Sequence, residues 1–131
     1  MKKRIIHSDK APAPIGPYSQ GVAFGNLLFL SGQIALDPVT GQVVMDNIEE
    51  ETHRVMDNIS ALLTAAGLDF SHVLKSTIFL SNMDYFPKVN EVYGRFFIAG
   101  EAPARETVQV AKLPRNVNVE ISVIAGFDKE Q

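Results

Sequence analysis

The sequence predicts an α+β fold: a mostly antiparallel sheet with two helices packed on one face. Three observations predict it. Short runs whose apolar residues alternate or cluster recur at 3–6, 19–24, 27–31, 72–81, 103–110 and 117–125, as strands do. Two longer stretches, 48–66 and 84–98, carry apolar residues at helical spacing. No linker, internal repeat or low-complexity tract divides the 131 residues, so the chain reads as a single domain over 1–131.

Residues 3–6 read as a short edge strand. Ala11-Pro12-Ala13-Pro14 must then be extended or turning, because each proline restricts the residue before it. Gly16-Pro17-Tyr18 releases the chain into the strand 19–24. Gly25-Asn26 stands at hairpin spacing before its partner, Leu27-Leu28-Phe29-Leu30-Ser31. Asp37-Pro38-Val39-Thr40-Gly41 is a turn-rich loop. Between Ile48 and Ala66 the period changes to one apolar stripe through Val55, Ile59 and Leu62; Glu49, Glu50 and Glu51 occupy the first turn, and Gly67 closes the helix. Residues 72–81 form a strand apolar on both faces. Asp84 then caps a second helix through Ile98, with Phe86, Val89, Tyr93, Phe96 and Phe97 as its stripe. Pro103–Val110 and Val117–Ala125 alternate as strands, and the turn-like Lys112–Asn116 would lay them side by side.

Two helices cover one face of such a sheet. Yet the strands at 27–31, 73–80 and 117–125 carry apolar residues on both sides, and a second copy of the chain is the economical cover. Composition narrows the function. A net charge of −3 gives no field for nucleic acid or an anionic membrane. The absence of cysteine excludes disulfides, thiolate catalysis and sulfur-ligated zinc, and suits a reducing cytosol. Lys2-Lys3-Arg4 is not followed by an apolar core, so no signal peptide is expected, and no run approaches the ~20 apolar residues of a membrane span. A cytoplasmic protein is the expectation. His7, His53 and His72 lack metal-ligand spacing, and no phosphate-cradling glycine loop is present.

The chemistry concentrates in Pro103-Ala104-Arg105-Glu106-Thr107-Val108-Gln109-Val110 and Val117-Asn118-Val119-Glu120-Ile121. Were the two strands paired, Arg105 would stand near Glu120. That arrangement is either a structural ion pair or a fixed guanidinium beside a base, able to receive a small carboxylate-bearing molecule. Pro-Ala-Arg, Thr-Val-Gln-Val, Leu-Pro and Val-Glu-Ile resemble the signature of the reactive intermediate deaminase family (RidA, also called YjgF). Ala13–Gly21 and Leu30–Ile34 resemble that family's other two marks, and the likeness covers essentially the whole chain. It implies a chorismate-mutase-like fold, a homotrimer with clefts between subunits, and cofactor-independent hydrolysis of 2-enamino and 2-imino acids to 2-oxo acids and ammonia.

On that resemblance Arg105 anchors the substrate carboxylate, where its fork makes two parallel bonds that lysine could not. Glu120 positions or activates water, and its anion would be favoured beside Arg105. Tyr18 binds substrate or water; its alternative is an amphipathic core or interface tyrosine. Gly32 lets the backbone approach the ligand, or simply ends a strand. Asn90 matches a pocket position, or lies on a solvated helix face. Thr107, where many relatives carry a small residue, shares Arg105's face and serves hydrogen bonding or strand propensity. Glu106 departs from the family, which places a small or apolar residue there; by alternation it points away from Arg105. Two rival readings of the same residues are a non-catalytic sensor of small carboxylates, and RNA cleavage or translation inhibition, which the acidic balance disfavours.

Overall fold

The computed structural model describes residues 2–128. Six strands, β1 (Arg4–Ile6), β2 (Gly21–Phe24), β3 (Leu27–Gln33), β4 (Val73–Leu80), β5 (Ala104–Gln109) and β6 (Val119–Gly126), form one sheet in the order β1-β2-β3-β6-β4-β5. All neighbouring pairs are antiparallel except β4–β5, which is parallel. Helices α1 (Ile48–Ala65) and α2 (Phe86–Gly94) bury their apolar stripes with one face of the sheet. The predicted α+β layout stands.

The expected pairing of β5 with β6 does not. β6 lies between β3 and β4, and β5 is the outer neighbour of β4. Two physical reasons decide this. Val119, Ile121, Val123 and Ala125 are almost wholly buried, so β6 belongs at the centre. The segment Ala-Arg-Glu-Thr-Val-Gln carries a charged residue on each face and suits an edge, where charge also discourages strand addition. The α2 crossover makes β5 run parallel to β4.

The second helix is also shorter than expected. Its entry is a 3₁₀ turn, Met83–Tyr85, capped by Asn82 rather than Asp84: the Asn82 side chain accepts from the Asp84 N–H at 2.8 Å. It ends at Gly94. The N–H groups of Arg95, Phe96 and Phe97 then bond three residues back, and the two phenylalanines pack against Phe70 instead of extending the stripe.

On the face away from the helices, Phe24, Phe29, Leu74 and Val108 are exposed. Ile5, Val22, Phe29 and Ile124 form one cross-strand row there by register. The apolar second face expected from sequence is therefore present.

Glu51 behaves unlike its neighbours in the first turn of α1. It is fully buried, and its carboxylate accepts from Asn118 N (2.7 Å), Val119 N (3.1 Å) and Asn118 Nδ2 (3.0 Å). One acidic side chain thus fixes the entry of β6 against the helix. Hydrogen bonds to a charged group contribute ~1.5–3 kcal/mol each, and truncation leaves their donors unpaired. Glu51→Ala is expected to destabilise the fold by about 3 kcal/mol, read by calorimetry as a melting temperature lower by about 10 °C.

Candidate active site

Arg105 lies on β5 on the helix-covered side of the sheet, opposite Ser76. Its Nη1 donates to Asn90 Oδ1 at 2.7 Å. The guanidinium lies 5.4 Å from the Phe86 ring centroid and 5.2 Å from that of Tyr93, both on α2. No carboxylate among the described residues forms an ion pair with it. Two residues along the same face, the Thr107 hydroxyl is buried without a hydrogen-bond partner. Tyr93 is itself held by a 2.9 Å bond from its hydroxyl to Ser76 Oγ, and burial, its leading influence, raises its pKa. The result is a rigid cation with free donors beside an unsatisfied hydroxyl, which suits an anion.

Tyr18, Gly32 and Glu120 assemble elsewhere. Gln20, almost wholly buried, accepts from Ser8 N–H and donates to the carbonyls of Ser8 and Pro12, pinning the proline-rich segment that leads to Tyr18. Ser31 Oγ donates to Ser19 O at 2.6 Å and Ser31 N to Gln20 O at 2.9 Å, so the Tyr18 loop is tied to β3 at Gly32. A Cβ at Gly32 would stand 2.9 Å from Glu120 Cδ; only glycine leaves that carboxylate its place. Glu120 is half-buried, and burial raises its pKa above the ordinary carboxylate value. Tyr18 and Gly32 line a cavity of about 110 Å³ together with Pro12, Gln33, Pro114 and Arg115.

Residues 8–127 match the family model described as Endoribonuclease L-PSP. That stretch contains all three sequence marks quoted above and both groups of side chains. The chain belongs to the RidA/YjgF/RutC family. It is 46% identical over 123 residues to the 2-iminobutanoate/2-iminopropanoate deaminase of Mus musculus, covering 94% of this chain and 90% of that one. Among solved structures, a Thermotoga maritima protein superimposes with a TM-score of 0.93 at 52% identity, covering 98% of this chain and 99% of that chain. Escherichia coli TdcF, solved with bound serine, gives 0.88 at 40%, covering 94% and 98%.

In this RidA-family chain the six residues singled out from sequence fall into two groups. Arg105 and Thr107 lie on the edge strand β5 beside Asn90 of α2, whereas Gly32 and Glu120 adjoin on the opposite face and Tyr18 shares a cavity with Gly32. Register fixes the separation. Arg105 aligns with Ser76, on the buried side of β4, whereas Glu120 aligns with Phe79, on the open side. The expected neighbourhood of Arg105 and Glu120 within one chain is therefore corrected, and so is the expectation that Arg105 favours the Glu120 anion there. The structural ion pair between them does not form either. Glu106 does point away from Arg105, and pairs with Lys75 Nζ at 3.1 Å across the adjacent strand. Sequence reasoning assigned Phe86 and Tyr93 only to a packing stripe, although they also form the platform beneath the guanidinium. Gln20 as a loop pin, and Glu51 as a buried acceptor rather than only a first-turn acid, were not expected. Their signal was slight: a lone glutamine in a loop motif, and one of three successive glutamates. No helix among the described residues is long and apolar enough to cross a membrane.

Proposed function

We propose that this protein is a single-domain hydrolytic deaminase of reactive 2-enamino and 2-imino acids, with a chorismate-mutase-like fold, working as a homotrimer whose clefts lie between subunits. The observation that carries the reading is the Arg105 guanidinium, fixed by Asn90 over two rings and paired with no carboxylate among the described residues. A receiver of this kind fits the carboxylate of a small acid. The likeness to the mouse deaminase supports the same chemistry, and the net charge of −3 favours it over RNA cleavage.

Each chain supplies two incomplete halves on opposite faces of its sheet. The uncovered apolar face, with Phe24, Phe29 and Leu74 exposed, supports burial against other copies. In the proposed cleft Arg105, Asn90 and Thr107 of one subunit face Tyr18, Gly32 and Glu120 of the next. Arg105 holds the carboxylate, the Thr107 hydroxyl takes a neighbouring polar atom, and the Gly32 backbone lies against the substrate. Glu120 accepts a proton from water as its oxygen bonds to the imine carbon. That proton passes to the imine nitrogen and gives an aminoalcohol; the remaining hydroxyl proton then moves by way of Glu120 to the amine as the carbonyl forms and the C–N bond breaks, so ammonia leaves a 2-oxo acid. Such imines also hydrolyse in water unaided, so holding the acid and placing the water suffices for acceleration. The substrate and product are thus small 2-imino and 2-oxo acids.

The test uses two inactive proteins. Arg105→Ala and Glu120→Gln are each expected to lose hydrolysis of the imine formed from alanine by an amino-acid oxidase. Subunits of the two, unfolded together and reassembled at equal amounts, should regain about a quarter of wild-type activity, since one cleft in four receives an intact half from each. No recovery, with hybrid assemblies demonstrated by mass spectrometry, would refute sharing of the site. Unaccelerated imine hydrolysis by wild type would refute the deaminase.

A further inference from the structure

The turn leading into β6 is strained. Arg115 and Asn116 both adopt left-handed backbone, at φ 59° and 57°. Asparagine tolerates that region; arginine has no local reason to occupy it. The conformation is imposed from both sides. Leu113 and Val117 are buried, Asn116 N bonds to Leu113 O at 3.0 Å, and Val117 N bonds to Pro114 O at 3.3 Å. The next residue, Asn118, is clasped by the buried Glu51. Strained residues held this firmly gather where a side chain must be aimed.

The strain brings Arg115 to the cavity that Tyr18 and Gly32 line. Arg115 also lines an adjoining recess of about 340 Å³ beside Ala13 and Leu36. The carboxylate along that recess, Asp37, is engaged by the N–H groups of Val39 and Thr40, and does not pair with Arg115. No other carboxylate among the described residues pairs with it. Arg115, exposed and without an ion pair among the described residues, therefore borders the cavity of the half-site that lacks Arg105.

We infer that Arg115 receives a second, distal acidic group, and that the substrates include dicarboxylic 2-imino acids as well as short neutral ones. This rests on the deaminase reading. The 2-carboxylate would go to Arg105 across the cleft, and a short acidic side chain would extend past Tyr18 and Gly32 to Arg115. A planar fork at that position selects a carboxylate over an alkyl end through paired bonds and charge.

The test compares hydrolysis by the full chain of imines generated by oxidases from aspartate and from alanine. The readout is the ratio of kcat/KM values, dicarboxylic over neutral. Arg115→Gln and Arg115→Gly are expected to lower that ratio about tenfold, with the glycine variant relieving the strained turn and so controlling for its shape. Arg115→Lys keeps the charge and should retain part of the ratio. The inference is overturned if the ratio stays constant in the variants, whatever the absolute rates, or if wild type hydrolyses the neutral imine and leaves the dicarboxylic one untouched. Loss of acceleration for both imines in wild type would instead remove the deaminase reading, and this inference with it.

Discussion

Replacing Arg105 by alanine is expected to lower kcat/KM for hydrolysis of 2-iminopropanoate by roughly 100-fold or more. Two charge-assisted bonds to a carboxylate contribute ~1.5–3 kcal/mol each, and ~1.4 kcal/mol is a factor of ten. The guanidinium does not hold up the fold: its hydrogen-bond partner is the exposed Asn90, and it stacks on rings that Ser76, Phe97 and the α2 stripe already position. The melting temperature should accordingly change little. Arg105→Lys separates charge from geometry; it keeps the cation and loses the fork, so an intermediate loss of about tenfold is expected. Steady-state hydrolysis of the oxidase-generated imine, with thermal unfolding measured in parallel, checks all three statements. Equal rates for wild type and Arg105→Ala would remove the proposed role.

Glu120→Gln should lower kcat by about 100-fold or more with a smaller effect on KM, because a positioned base contributes typically 10²–10⁴ to proton transfer while the amide still fits beside Gly32. The same carboxylate sets a pH dependence whose sign follows from its environment. Burial raises its pKa above the ordinary value, so the inactive acid form persists to higher pH than for a solvated glutamate. In the proposed cleft the Arg105 charge would be matched by the substrate carboxylate, which would leave burial dominant. Activity should fall on acidification through that raised pKa. Stability moves the other way. The native state binds this proton more tightly than the unfolded chain does, so the contribution is present at low pH and is lost as pH rises through the raised value. Glu120→Gln, which cannot titrate there, should flatten the residual acid limb and the stability slope together. A pH–rate profile and chemical unfolding at several pH values are the measurements; an unchanged acid limb in the variant would assign it to another group.

Much of this was legible in the chain because the signals were local. The period change at Ile48, the Gly25-Asn26 hairpin and the alternation of Val119, Ile121 and Val123 each report a side-chain direction set by neighbours in sequence. The same alternation told correctly that Glu106 points away from Arg105. The motif residues were legible as the family's pattern, since an arginine, a glutamate and a glycine stand at those positions wherever the strands lie. What failed was strand order. Adjacency in sequence made β5 and β6 natural partners, whereas burial of β6 and the polarity of Ala104–Gln109 separated them by one strand.

Sequence alone therefore determined the α+β class, the family and the short set of polar residues available for chemistry, because periodicity and residue type are properties of the chain itself. Only the tertiary structure decided which of those residues meet. Insertion of β6 between β3 and β4 puts Arg105 and Glu120 on opposite faces, tucks Glu51 under Asn118 and twists Arg115 toward the Tyr18 cavity. Those outcomes depend on burying apolar surface among strands far apart in sequence, a competition that no single segment records.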